Sequence, residues 1–167
     1  CHYLGIDNVM ALRGDAMKEE KYFIPKNGGN NYAVDLVKQI KQLNDGKYLH
    51  DLIDVDNKAD FCIGVAGYPE KHLESPSLQS DLKRLKEKVD AGADYVVTQM
   101  FFDNSKYFEF VEKARAIGIT IPIIPGIKPI AVKKHMQLLP QVFRVDLPED
   151  LISAIGKSTS AAEVKAV

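Results

Sequence analysis

The chain has 167 residues, with 22 Lys and Arg against 23 Asp and Glu, for a net charge of −1. That length suits one domain, and the even charge balance excludes a protein that grips nucleic acid through a basic face. Hydrophobic residues make up 46% and charged residues 27%, a globular composition; no apolar run approaches the roughly 18 residues of a membrane span. Two cysteines, Cys1 and Cys62, make neither a disulfide framework nor a zinc site, and a reducing, cytoplasmic setting is the default expectation.

In chain order, Cys1 to Gly5 reads as the last turn of a helix closed by glycine. Four short apolar runs follow as predicted strands: Asn8 to Leu12, Phe61 to Ala66, Tyr95 to Thr98 and Ile121 to Ile124. Their near-continuous hydrophobicity predicts strands covered on both faces. Helical spacing lies between them. Tyr32 to Leu43 gathers Val34, Leu36, Val37, Ile40 and Leu43 on one side. Ser80 to Ala91 places Leu82, Leu85 and Val89 together, and Ser105 to Ile117 does the same with Phe108, Val111 and Ala114. Gly92 and Gly118 stand as helix stops. Val132, Met136 and Leu139 mark a further helix, and Asp146 to Ile155 another, with Pro148 in its first turn. Ser160 to Glu163 is a capping box that opens one more helix. Both ends therefore read as cuts in a longer protein.

Repeated β-α order predicts an α/β fold with a parallel sheet. A small doubly wound sheet and part of an eight-stranded barrel both satisfy it; the cut ends favour the barrel, which needs about 250 residues. All 167 residues then form a single, partial domain. Unpaired strand edges at 8–12 and 121–124 predict self-association.

The stretches that follow strands sit at the ligand-binding edge in either architecture. Arg13, Gly14 and Asp15 would project a charge pair there, or form a rim salt bridge with a helix cap. Tyr68 offers a ring to stack and His72 a donor for a phosphate or carbonyl, although Gly67 and Pro69 alone would explain a turn. Gln99 has the donor and acceptor that suit the edge of a heterocycle, with Phe101 and Phe102 to exclude water and Asp103 to cap a helix. Gly28 and Gly29 precede a helix start and suit a phosphate weakly. The charged run from Asp81 to Lys88 reads first as a solvated helix face. His2, His50 and His135 lack metal-ligand spacing, and Cys62 reads as a core residue. Asp15, Thr98 and Lys128 raise a rival, a phospho-acceptor receiver domain, though no acidic pair precedes Asp15.

Taken together and in order, these motifs resemble the methylenetetrahydrofolate reductases. The matching stretches are NVMALRGD from Asn8, NYAVDLV from Asn31, VAGYPEKH from Val65, DLKRLKEKVD from Asp81, AGADYVVTQMFFD from Ala91 and IPIIPGIKP from Ile121. The resemblance implies a flavoenzyme built on a (β/α)8 TIM barrel, of which this chain covers strands four to seven. It implies FAD as cofactor, NADH or NADPH as electron donor, a small-molecule folate as substrate, and a homo-oligomer bound to neither nucleic acid nor membrane. It assigns Asp15 to catalysis, stabilising the iminium form of the folate. Gln99 and Leu139 would contact the substrate. Leu12, Arg13, Gly14, Asp15, Tyr32, Ala33, Tyr68, His72, Asp81 and Lys88 would contact the flavin. Three departures accompany it. The family's general acid lies on a strand absent here, so the fragment alone is expected to be inactive. Glu87 stands where some members carry a basic phosphate contact, and Leu139 where some carry Phe. A non-catalytic β/α module that binds a phosphorylated ligand is the alternative.

Overall fold

The structure is a computed structural model that describes residues 4–16, 20, 23–48 and 58–166. Cys1, His2, His50 and the helical turn expected before Leu4 lie outside the described residues. Four parallel strands, β1 (Asn8–Ala11), β2 (Cys62–Gly67), β3 (Tyr95–Thr98) and β4 (Ile123–Ile124), lie side by side in chain order. Helices α1 (Ala33–Asn44), α2 (Leu78–Asp90) and α3 (Asn104–Ala116) make the crossovers; α4 (His135–Phe143), α5 (Glu149–Lys157) and α6 (Ala161–Ala166) follow β4. The fold class is α/β, as expected. Among the described strands the order never reverses, so the switch-point crevice of a doubly wound sheet does not occur.

Register places alternate residues on opposite faces. Met10 pairs with Gly64, Gly64 with Tyr95, and Val97 with Ile124. Val9, Ala11, Ile63, Val65, Val96 and Ile123 point the other way and join the main core beneath α1 to α3, with Val37, Leu82, Leu85, Phe110 and Ala114. Each such side chain, once buried, contributes roughly 1.5–3 kcal/mol for a Val, Leu, Ile or Phe. The expectation of cover on both faces needs correction. Helices cover one face, while Met10 and Ile124 on the other remain 37% and 46% exposed. Gly64 has no room for a side chain, because a Cβ would lie 2.5 Å from the Tyr95 ring.

The predicted boundaries shift by a residue or two. Leu12 and Phe61 fall outside their strands, and β4 is shorter than expected because Pro122 has no N–H to donate; its carbonyl still accepts from the Val96 N–H at 2.9 Å. Pro148 is the N-cap of α5 and not its first-turn residue. Gly92 and Gly118 do stop α2 and α3. Each has positive φ, and the N–H of the following residue closes on the last turn, Ala93 to Lys88 O at 3.2 Å and Ile119 to Ala114 O at 3.1 Å. Asp103 caps α3 by accepting from the Ser105 N–H at 2.8 Å. At the last helix the Ser160 hydroxyl accepts from the Glu163 N–H, while the Glu163 carboxylate reaches past it to the Thr159 N–H.

A second core, which the sequence pattern does not separate from the first, joins Ile130, Leu139, Val145, Ile155 and Val164. Met100 and Phe102, from the segment after β3, pack against it. No helix among the described residues is long and apolar enough to cross a membrane.

Candidate functional site

A cavity of about 390 Å³ opens at the carboxyl ends of β1 and β2. Four pieces of chain build it. Leu12, Arg13 and Asp15 leave the end of β1; Tyr68, His72, Glu74 and Ser75 follow β2; Tyr32, Ala33 and Val34 open α1; and Asp81, Arg84, Glu87 and Lys88 come from α2. The α2 residues share a helix face, because positions 81, 84 and 88 are spaced i, i+3 and i+7. The solvated-face reading therefore divides. Residues 81, 84, 87 and 88 face the cavity, while Lys83 and Lys86 line a separate groove between α2 and α3.

The segment after β2 is shaped by a tight turn. The Lys71 N–H donates to Tyr68 O at 3.2 Å, and Lys71 takes a positive φ of 93°, uncommon for a side-chain-bearing residue. Its ammonium donates to the carbonyls of Ser75 at 2.7 Å and His72 at 3.3 Å, which holds the loop in this bend. The turn brings the His72 ring against Tyr68, edge-on, with centroids 4.7 Å apart. Asp81 fastens the loop to α2: its carboxylate accepts from the Ser75 hydroxyl at 2.9 Å and the His72 N–H at 3.2 Å.

Charges across the cavity are paired with care. The Arg13 guanidinium donates twice to the Glu74 carboxylate, at 2.8 and 2.6 Å. That hydrogen bond raises the Arg13 pKa and holds the Glu74 carboxyl below its usual range. The Phe23 ring lies 5.2 Å from the same guanidinium, and Arg84 lies 5.9 Å from the Tyr32 ring. Lys88 donates to Ala66 O at 2.6 Å. Burial pushes the Lys88 ammonium down to about 8, and the nearby Asp81 offsets only part of that. Burial, with Asp81 and Asp15 nearby, raises the Tyr68 hydroxyl. A desolvated ammonium gains from an added anion, so the cavity suits a ligand that combines a flat ring with a phosphate.

Nine of the sequence-derived positions line this one cavity: Leu12, Arg13, Asp15, Tyr32, Ala33, Tyr68, His72, Asp81 and Lys88. Gly14 sits between two of them, against Phe23. Gln99 stands apart after β3, where its N–H donates to Gly67 O at 2.8 Å. Leu139 is 1% exposed in the second core, so its side chain packs on protein and offers no wall to a ligand in this structure. Gly28 and Gly29 form a turn closed on Lys26 O, upstream of the α1 N-cap Tyr32, and line no part of the cavity. The receiver arrangement is not assembled. Thr98 is 4% exposed and its hydroxyl accepts from the Gly126 N–H, while Asp15 lines the cavity that neither Thr98 nor Lys128 reaches. His135 accepts from the Ala131 N–H, and among the described residues no cluster of His, Cys, Asp or Glu could hold a metal ion.

Sequence reasoning missed Glu74 and Ser75 and left Arg84 on a solvated face. Arg84 had a signal in its i+3 spacing from Asp81. Glu74 had none, because its partner Arg13 is 61 residues away along the chain.

Comparison with known proteins identifies the family. The family model for methylenetetrahydrofolate reductase matches residues 1–166. Methylenetetrahydrofolate reductase 2 of Saccharomyces cerevisiae is 38% identical over 156 residues, 92% of this chain and 24% of the relative. Methylenetetrahydrofolate reductase (NADH) 1 of Arabidopsis thaliana is 41% identical, over 90% of this chain and 25% of the relative. A probable methylenetetrahydrofolate reductase (NADPH) of Caenorhabditis elegans is 34% identical, over 89% and 20%. The chain thus spans a quarter or less of the length of these relatives. The family model covers both the strand-end segments and the α2 face that build the cavity, and the chain belongs to the methylenetetrahydrofolate reductase family.

Proposed function

We propose that this chain is a sector of a (β/α)8 barrel, strands four to seven, in an enzyme that reduces methylenetetrahydrofolate to methyltetrahydrofolate. The proposed cofactor is FAD and the electron donor NADH or NADPH, both of which occur in relatives' names. The sequential strand order and the one-sided helix cover support the barrel, since its inner face would be the sheet face that carries Met10 and Ile124. The observation that carries the cofactor is the cavity itself: aromatic rings, an apolar wall of Leu12, Ala33, Val34 and Ala66, and the cations Arg13, Arg84 and Lys88 in one place.

FAD, when bound, would supply the hydride chemistry between the nicotinamide and the methylene carbon of the folate. The protein's part is to bind, orient and tune. Tyr68 and His72 would flank the isoalloxazine or diphosphate, and Lys88 and Arg13 would offset phosphate charge. Asp15 would stabilise the iminium cation that the folate forms on ring opening, since a fixed carboxylate acts strongly where water is scarce. Gln99 would pair with the pterin edge and Leu139 would support the substrate end from the second core. A homo-oligomer in the cytoplasm completes the proposal. The general acid would come from a strand outside this chain, so the fragment alone would not turn over.

The test is a visible spectrum of the full-length protein before and after anaerobic NADH. A flavin band that bleaches is the expected result. A protein with no flavin band, even after reconstitution with FAD, would overturn the cofactor and leave a non-catalytic phosphate-binding module.

A further inference from the structure

Glu74 has no part in the reaction proposed above, yet it holds the strongest polar contact in the cavity. Both of its carboxylate oxygens engage the Arg13 guanidinium, at 2.8 and 2.6 Å. The pair joins the end of β1 to the loop after β2. The Arg13 side chain is 19% exposed and that of Glu74 50%. Glu74 is also tied to the ring beside it, through its N–H to His72 Nδ1 at 3.2 Å.

The cavity's charges nearly cancel before any ligand arrives. Arg13, Arg84 and Lys88 face Asp15, Glu74, Asp81 and Glu87. Asp81 is committed to Ser75 and His72. Glu74 is different, because what it fills is the forked donor of an arginine. A guanidinium fork matches two phosphate oxygens as well as it matches a carboxylate. Glu74 is half-exposed, so its side chain can swing to water and be solvated there; Arg13, stacked near Phe23, is the partner that stays.

We propose that Glu74 is a built-in counter-anion, which fills the Arg13 fork until an anionic group of the dinucleotide displaces it. It therefore lowers the affinity of the cavity for anions in general and makes release of the cofactor possible. Glu74 touches no reacting atom. The dinucleotide rests on the flavin reading; the displacement itself needs only an anion.

The experiment titrates the full-length apoprotein with FAD, followed by flavin fluorescence, in wild type, Glu74→Gln, Arg13→Gln and the double variant. Glu74→Gln is expected to bind FAD about twofold to fivefold tighter, the scale of one partly exposed ion pair. Riboflavin, which has no phosphate, is expected to bind as in wild type, and the gain is expected to vanish when Arg13 is also replaced. Glu74→Ser guards against a Gln that binds Arg13 in the carboxylate's place, and should behave as Gln does. Weaker or unchanged FAD binding in both Glu74 variants, or an equal gain for riboflavin, would overturn the proposal and make Glu74 a strut. If wild type binds neither flavin, the flavin reading fails separately. Calorimetric titration with inorganic diphosphate then decides: tighter binding in Glu74→Gln upholds the counter-anion, and no change removes it.

Discussion

The two ends of the sheet's carboxyl edge are built differently. At β1 and β2 the contacts are between charges and long side chains: Arg13 with Glu74, Asp81 with Ser75 and His72, Lys88 with a strand carbonyl. At β3 and β4 they are close backbone approaches and apolar packing. Thr98 accepts from the Gly126 N–H at 2.9 Å, and Met100 and Phe102 lean on the core that holds Leu139. The first end can exchange its partners for a ligand, because each group there has water or another charge as an alternative. At the second end Thr98 and Leu139 are buried among protein groups and have no such alternative, Gln99 being the group there that the proposed substrate would use. Chemistry is expected to fail on changes at the first end, and folding on changes at the buried residues of the second.

The largest expected effect tests the chemical half of that contrast. Asp15 is exposed at the cavity wall, and Asn keeps its shape while removing its charge. In the full-length protein Asp15→Asn is predicted to slow folate reduction about 100-fold, near 2.7 kcal/mol, the scale of one lost electrostatic contact in a transition state. Flavin reduction by NADH should change far less, and the melting temperature hardly at all. Rapid-mixing kinetics of the two half-reactions measure this. Equal slowing of both would remove Asp15 from the role assigned to it.

The structural half is tested at Gly126. A Cβ there would sit 2.0 Å from the Thr98 carbonyl oxygen, and no flexible side chain is available to yield. Gly126→Ala is predicted to destabilise by about 2 kcal/mol, the ordinary cost of forcing atoms into a filled site. Denaturant unfolding reads this directly. A neutral result would mean that the β3–β4 end can shift, and that the contrast drawn here is too sharp.

How much of this was legible in the sequence follows the same division. Strands and helices were readable because their periods are local: apolar runs for β1 to β3, and helical spacing of apolar residues for α1 and α2; on α3 that spacing marked Phe108 for the core, but Phe108 is 67% exposed and Phe110 is buried instead. Gly92 and Gly118 were readable as stops because positive φ is a demand on a single residue. What failed was long-range. No local pattern says that Leu139 joins Val164 in a second core, or that one sheet face lies open at Met10 and Ile124. In the cavity, Arg13, Asp15, Tyr68 and His72 stood out as polar residues just after strands. Leu12, Tyr32, Ala33, Asp81 and Lys88 came through the family resemblance, which also marked Glu87 as a departure, and the charged run on α2 hid Arg84 among solvated lysines. Glu74 was invisible, since only folding brings it to Arg13.

Lys88 sharpens the comparison most finely, because it is a charge held at some cost to stability. Its folded pKa, about 8, lies below the ordinary 10.5, burial being the main cause. A depressed ammonium means that the unfolded chain holds the proton more tightly, so this group's cost is full below pH 8. It falls away as pH rises from about 8 toward the unfolded value. Lys88→Met removes the charge but leaves Ala66 O without its donor, which returns part of the gain. The net prediction is a stabilisation of about 1 kcal/mol at pH 7, at the low end for replacing a buried charge with an apolar group. That advantage should shrink or reverse above pH 10. Thermal melts of both proteins across that range measure the difference. A constant gap at all pH values would show that packing, and not the buried charge, separates them. FAD binding by the same variant should weaken while its fold strengthens, because the cation that costs stability is the one an anionic ligand would use.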